Sequence, residues 1–192
     1  FVSHCRWMLE QGVDGLAIFG TTSEANSLTV AERKMLLEEL LENGVPAGKL
    51  MPGTGACSIM DAADLTAHAV SRGCGGVLML PPFYYKAVDN DGLFASFSEV
   101  IERVADQRLH VYLYHIPPVA QVPIGLELIE RLVKRYPETV VGLKDSSGDW
   151  ANTQAILDGF PGFATFAGSE SFLLDTVRGG GAGCITASGN AN

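Results

Sequence analysis

The 192 residues, 47% of them hydrophobic, suffice for one domain with a sizeable core. A formal net charge of −9 argues against nucleic acid or an anionic membrane surface as partner. No apolar run approaches the length of a membrane span, so a soluble protein is expected. The cysteines Cys5, Cys57, Cys74 and Cys184 are scattered, with no CxxC pair and no histidine at metal-ligand spacing. They read as reduced thiols of a cytoplasmic protein with no metal site.

The chain opens on Phe1 within a helical pattern over residues 1–10 and stops in the loop-like Gly189-Asn-Ala-Asn192. It therefore reads as part of a longer fold. From there a short apolar strand followed by an amphipathic helix recurs. Residues 15–19 form the first strand, and Thr29-Val-Ala-Glu32 is a capping box opening a helix with Leu36, Leu37, Leu40 and Leu41 on one face. Asn43-Gly44 ends that helix. Strand 50–53 precedes helix 61–72. Strand 76–80, stopped by Pro81-Pro82, precedes helix 91–105, and strand 109–114, stopped by Pro117-Pro118, precedes helix 126–136. Strands 139–144, 163–167 and 183–187 alternate with helices 150–158 and 171–178.

Seven strands alternating with helices imply parallel βα units, and no linker divides residues 1–192, so a single domain is expected. A doubly wound sheet and a (β/α)8 barrel both accommodate this rhythm. An orphan helix ahead of seven units favours a barrel lacking its first strand, and a complete barrel takes about 250 residues.

In such barrels the active site lies at the C-terminal ends of the strands. The polar groups there are Gly20-Thr-Thr-Ser-Glu24, Phe83-Tyr84-Tyr85, Tyr114, Lys144, Gly168-Ser-Glu170 and Thr186-Ala-Ser188. The backbone N–H groups and hydroxyls of the turn Gly20-Thr21-Thr22 suit a carboxylate or phosphate, although an ordinary helix-capping turn has the same composition. Lys144 closes the apolar strand Thr139-Val-Val-Gly-Leu-Lys144, where low-dielectric surroundings disfavour an ammonium. A neutral amine there can form a Schiff base with a carbonyl compound; alone, such a lysine more often snorkels to solvent. Tyr114 ends the preceding strand and can shuttle protons beside Lys144. A histidine placed like His115 is more often structural, and alternation turns Asp145 away from Lys144, toward capping the next turn.

Gly20-Thr-Thr-Ser-Glu, Pro82-Phe-Tyr84, Tyr114-His-Ile-Pro117 and Gly142-Leu-Lys144-Asp resemble, in order and position, the motifs of the dihydrodipicolinate synthase/N-acetylneuraminate lyase family. That resemblance runs the full chain. It implies a (β/α)8 barrel, here without its first strand and C-terminal helices, and pyruvate-dependent class I lyase or aldolase chemistry with no metal or organic cofactor. Lys144 then forms the imine with pyruvate, and Tyr114 moves protons to and from the substrate. Thr21 and Thr22, with Gly20, hold the pyruvate carboxylate, Thr21 also joining the proton relay. Tyr84 reaches a neighbouring subunit's site, which implies a homo-oligomer, a dimer of dimers. Ile185 and Gly168 line the pyruvate pocket.

Three positions depart from the family pattern. Ser23 replaces a glycine and His115 an asparagine, and Val119 stands where the synthases carry an arginine for the second substrate's carboxylate. An arginine fork on a carboxylate is a strong charge-assisted pair. Its absence points toward lyases of sugar-acid type, acting on a 2-keto acid or its aldehyde half. The alternatives are a genuine 4-hydroxy-tetrahydrodipicolinate synthase, using pyruvate and aspartate semialdehyde, and a non-catalytic relative that binds a keto acid.

Overall fold

Short apolar runs separated by amphipathic helices favour parallel pairing, and they pair so in the computed structural model, which describes residues 1–191. Strands β1 (Val77–Met79), β2 (Val111–His115), β3 (Val140–Asp145), β4 (Ala164–Ala167) and β5 (Gly183–Cys184) run parallel, side by side in chain order.

The first two expected strands are reduced to single parallel bridges, Leu16 with Leu50 and Gly53 with Leu78. Phe19 turns to φ +56° and Pro52 has no N–H to donate, so neither ladder extends. The hydrogen bonds that remain keep the same direction and order: Met51 N–H donates to Leu16 O at 2.9 Å and Gly53 N–H to Ile18 O at 2.7 Å. The last expected strand shortens to Gly183–Cys184 because the chain soon winds into a 3-10 turn at Ser188–Asn190. The five strands and two bridged segments form seven consecutive staves of a truncated (β/α)8 barrel.

The helices are α1 (Val2–Glu10), α2 (Val30–Glu42), α3 (Ile59–Ser71), α4 (Asn90–Val104), α5 (Pro117–Ala120), α6 (Leu126–Arg135), α7 (Trp150–Gly159) and α8 (Leu173–Arg178). The capping box closes as expected: Glu32 N–H donates to Thr29 Oγ1 at 3.2 Å, and Thr29 N–H to Glu32 Oε2 at 2.8 Å. α5 was not anticipated. Pro117 and Pro118, which read as strand terminators, occupy the first helical positions, where a missing N–H costs nothing.

One irregularity sets the phase of the sheet. Val111 pairs with Val140 but Tyr112 pairs with Gly142, so Val141 is an extra residue in β3. The bulge lets Val140 and Leu143, three apart, both join the layer between sheet and helices with Val77, Met79, Val111, Leu113, Phe97, Leu128 and Leu132. It thereby sends Gly142 and Lys144 to the interior. There the Tyr112 ring lies between two glycines: a Cβ on Gly76 would stand 2.6 Å from Tyr112 Cε2, and one on Gly142 2.5 Å from Cδ1. Tyr112 meets Phe166 edge-on at 5.9 Å. Above this layer Leu78 and Tyr114 pack with Ile116 and Ala120.

Gly142→Ala places its Cβ 2.4 Å from Ala164 O, a backbone atom that cannot swing aside. Overpacking of this kind costs about 1–3 kcal/mol. The urea midpoint of Gly142→Ala is expected to fall accordingly. Gly159→Ala, where nothing lies within 4 Å, should leave it nearly unchanged.

Candidate active site

The β2–β3 register sets Tyr114 directly beside Lys144. Lys144 Nζ donates to the Tyr114 hydroxyl at 3.4 Å and stands 4.5 Å from the centre of its ring. On its other side the hydroxyl is 3.1 Å from Thr21 Oγ1. Three candidates drawn from distant parts of the sequence thus form one hydrogen-bonded chain, Thr21–Tyr114–Lys144. Tyr114 at its centre is only 3% exposed, so its hydroxyl is held by packing.

Thr21 reaches this chain because the backbone turns sharply after the first stave. Phe19 is left-handed, Ala25 N–H donates back to Gly20 O at 3.3 Å, and Glu24 N–H donates to Thr21 O at 3.0 Å. A small cavity opens beside Tyr114, lined by Phe19, Gly20, Thr21, Gly53, Gly55 and Leu80 among others. Its floor is main chain. A Cβ on Gly53 would lie 2.1 Å from Phe19 O and one on Gly55 2.3 Å from Leu80 N. A wider cleft between α1 and α2, lined by Arg6, Trp7, Glu10 and Glu39, lies away from the strand ends and holds none of these groups.

Thr22 is exposed on the same turn as Thr21. Gly168 follows β4 and donates its N–H to Asp145 O at 2.7 Å, while Ile185 N–H donates to Ala167 O at 2.9 Å. Gly168 thus stands on the rim next to the strand of Lys144, and Ile185 one strand further along, beside β4. A side chain at Gly168 would meet Ser146 Oγ at 2.2 Å. Tyr84 is placed differently from the rest. It is 74% exposed and packs edge-on against Tyr85 at 5.2 Å, outside the Thr21–Tyr114–Lys144 chain.

His115 and Asp145, the next register pair, point the other way and are buried. His115 Nδ1 accepts the Ile124 N–H at 2.9 Å, which fixes the neutral tautomer. Burial pushes its imidazole below the usual range, a shift opposed by Asp145. Asp145 accepts from Ser147 N–H at 2.9 Å, Asn152 Nδ2 at 3.0 Å and Thr153 Oγ1 at 2.7 Å, so it fastens the start of α7. Both residues brace the site from behind.

Sequence reasoning missed three supports. Arg33, on a face expected to be leucines, is buried and donates through Nη2 to Gly53 O beneath the cavity floor. Lys86 Nζ donates to Ala120 O at 2.8 Å and to Phe83 O, tying the Tyr84 loop to the end of α5. Glu170 accepts from Thr186 Oγ1 at 2.5 Å and from Ser188 Oγ at 2.8 Å. Glu170 and its hydroxyl partners were visible as strand-end polar residues, but their pairing follows from topology.

Fold and site together define a (β/α)8-barrel protein that presents an amine and a phenol at its C-terminal rim. The chain belongs to the Dihydrodipicolinate synthetase family, whose profile matches residues 2–192. It is 37% identical over 191 residues to an uncharacterised DapA-like lyase of Chloroflexus aurantiacus, covering 98% of this chain and 62% of that protein. The crystal structure of dihydrodipicolinate synthase from Agrobacterium tumefaciens superposes with a TM-score of 0.95 at 37% identity, covering 98% of this chain and 66% of the other. YagE of E. coli K12, a prophage protein of the dihydrodipicolinic acid synthase family solved in complex with pyruvate, superposes with a TM-score of 0.87 at 26% identity, covering 98% and 63%. The chain spans 62–63% of the length of the curated relatives from Chloroflexus and Rhizobium meliloti. Among the described residues no helix is long and apolar enough to cross a membrane.

The state of His115 gives a testable pH dependence. Its folded-state pKa lies below the ordinary 6.5, so the unfolded chain takes up the proton first. Stability is full above about 6.5 and falls as the pH drops from there toward the folded value. His68, similarly lowered by burial, adds to the same slope. Denaturation midpoints measured between pH 7.5 and 5 should show a shallower fall in His115→Asn than in the parent.

Proposed function

We propose that this protein is a Schiff-base lyase or aldolase that joins pyruvate to an aldehyde, or releases pyruvate from the corresponding 2-keto acid. The observation that carries this reading is the hydrogen-bonded chain Thr21–Tyr114–Lys144 at the strand ends. It rests also on family membership.

The chemistry follows from the order of the groups. Gly20, Thr21 and Thr22 offer hydroxyls and main-chain N–H groups to the pyruvate carboxylate. The Lys144 amine attacks the keto carbon through its nitrogen lone pair to give a carbinolamine. The Tyr114 hydroxyl, within reach of Nζ, donates a proton to the departing hydroxyl, and water leaves as the imine forms. The Tyr114 oxygen left deprotonated by that step takes a C3 proton, converting the imine to an enamine whose C3 attacks the aldehyde carbon. The new alkoxide takes that proton back from the Tyr114 hydroxyl, and water then hydrolyses the imine to release the product and free Lys144. The reverse sequence cleaves the same bond. Thr21 extends the proton path away from Tyr114. Gly168 and Ile185 form the far wall of the pocket.

Tyr84 has no part within its own subunit's hydrogen-bonded chain. Its 74% exposure supports a role in a second copy's site, and hence a homo-oligomer, a dimer of dimers by family resemblance. Residues 1–192 act in this reading as a single domain. Four free thiols accord with a reducing, cytoplasmic setting.

For the aldehyde we favour an uncharged, sugar-acid-type substrate half. Val119 lies 61% exposed on α5, two residues past Pro117, and offers no charge to a second carboxylate. Aspartate semialdehyde would lack its charge-assisted anchor there. The competing reading, a genuine 4-hydroxy-tetrahydrodipicolinate synthase, is supported by the likeness to the Agrobacterium enzyme.

Incubation with pyruvate and borohydride followed by peptide mapping is expected to place the reduced pyruvyl adduct on Lys144. No adduct, or an adduct on another lysine, overturns the mechanism. Tyr114→Phe should lower kcat by about 10²-fold or more, the usual worth of a general acid–base group. The substrate class is read by comparing kcat/KM for sugar-acid-type 2-keto acids with that for pyruvate plus aspartate semialdehyde. A higher value for the semialdehyde reverses our preference.

A further inference from the structure

We infer that Glu170 is a positioning residue, a clamp that holds the segment after β5 against the segment after β4 and so fixes the Ile185 wall of the keto-acid pocket. This inference rests on the function proposed above. Backbone pairing between the two segments is short. Phe166 pairs with Gly183 and Ala167 with Cys184, and one further bond joins Ile185 N–H to Ala167 O. Beyond Ile185 the fastening passes to side chains.

Glu170 supplies it with both carboxylate oxygens, Oε2 taking the Thr186 hydroxyl at 2.5 Å and Oε1 the Ser188 hydroxyl at 2.8 Å. A carboxylate only accepts, so both hydroxyl hydrogens must point at it. The lone pairs of Thr186 Oγ1 are then free to accept, and one takes the Ser188 N–H at 3.2 Å. All three residues are thereby set in one arrangement. These bonds hold the Glu170 carboxyl below the usual range, Thr186 contributing most.

A second tie anchors the far end. Asn190 Nδ2 donates to Ala187 O at 2.9 Å, and Asn190 Oδ1 meets His4 Nε2 of α1 at 3.0 Å. The segment from Ile185 to Asn190 is therefore pinned on one side to the β4 loop and on the other to the first helix. Gly168, two residues before Glu170, is bonded to Asp145, the neighbour of Lys144. The clamp thus joins the pocket wall to the strand that carries the amine. Glu170 touches none of the reacting atoms in this scheme and acts through Thr186 and Ser188.

The test uses borohydride trapping of Lys144 with pyruvate alone, so that no aldehyde contact enters. Glu170→Ala is expected to raise the half-saturating pyruvate concentration about tenfold, in line with loss of hydrogen bonds to a charged group. The trapping rate at saturation should stay within about twofold of the parent, since Lys144 and Tyr114 keep their geometry. Thr186→Val with Ser188→Ala should reproduce that shift, and adding Glu170→Ala to the pair should change it little further, as expected of residues acting as one unit. Glu170→Gln, which keeps one acceptor oxygen, should recover part of the loss and serves in place of Glu170→Ala if that variant does not fold. The inference is overturned if Glu170→Ala shifts pyruvate saturation while the Thr186/Ser188 pair does not, for Glu170 then meets the ligand itself. It is overturned equally if no variant moves the saturation. Should the parent protein form no adduct, the proposed function fails, and hydrogen exchange decides the clamp separately. Faster exchange of amides 185–188 in Glu170→Ala supports it, and unchanged exchange refutes it.

Discussion

The register between β2 and β3 is the constraint on which the rest of the site depends. A parallel pair holds equivalent residues at equal depth and on the same face, so pairing Tyr114 with Lys144 also pairs His115 with Asp145. The first pair faces the barrel interior and meets at the Tyr114 hydroxyl; the second is buried among the helices, each member with its own partners. Polar groups on the two faces therefore do different work at the same height. The bulge at Val141 is what makes this phase compatible with an apolar outer layer, because Val140 and Leu143 can both face the helices only if one residue is added between their paired neighbours.

Around that pair, single charged side chains hold the loops. Arg33 reaches the carbonyl of Gly53 from α2, Lys86 joins the Tyr84 loop to α5, and Glu170 spans the turns after β4 and β5. Each bonds backbone carbonyls or hydroxyls instead of an opposite charge. Strand ends supply unpaired carbonyls and turns supply hydroxyls, so a rim built from short parallel strands has more use for lone donors and acceptors than for ion pairs. The salt bridges lie elsewhere, as in the Glu38–Arg72 and Lys34–Asp64 contacts between α2 and α3.

Much of this was legible in the residues. Alternation of apolar strands with helices, the Thr29 capping box and the placement of Thr21, Tyr114 and Lys144 at strand ends all follow from local pattern, and local pattern is what a sequence states directly. The failures share a cause. The staves near Leu16 and Leu50 shrink because of a left-handed Phe19 and a proline, features of backbone geometry that apolar content does not report. α5 was hidden because proline ends one element as readily as it begins another. Arg33 broke the expected leucine face since its buried guanidinium reaches, through Nη2, a carbonyl twenty residues away. Glu170 likewise depends on partners 16 and 18 residues distant. Long-range pairing of a polar group is invisible until the strands are in order.

Gly53 and Gly55 make the floor of the cavity from main-chain atoms, leaving no room for any side chain. A surface made this way cannot drift by substitution, because each possible replacement would push the backbone apart. Variation is left to the rim, where Ser23 and Val119 are exposed. Such a barrel separates what it must keep from what it can change. The inner surface is fixed by main-chain contact, while exposed positions of the outer ring can change without disturbing it.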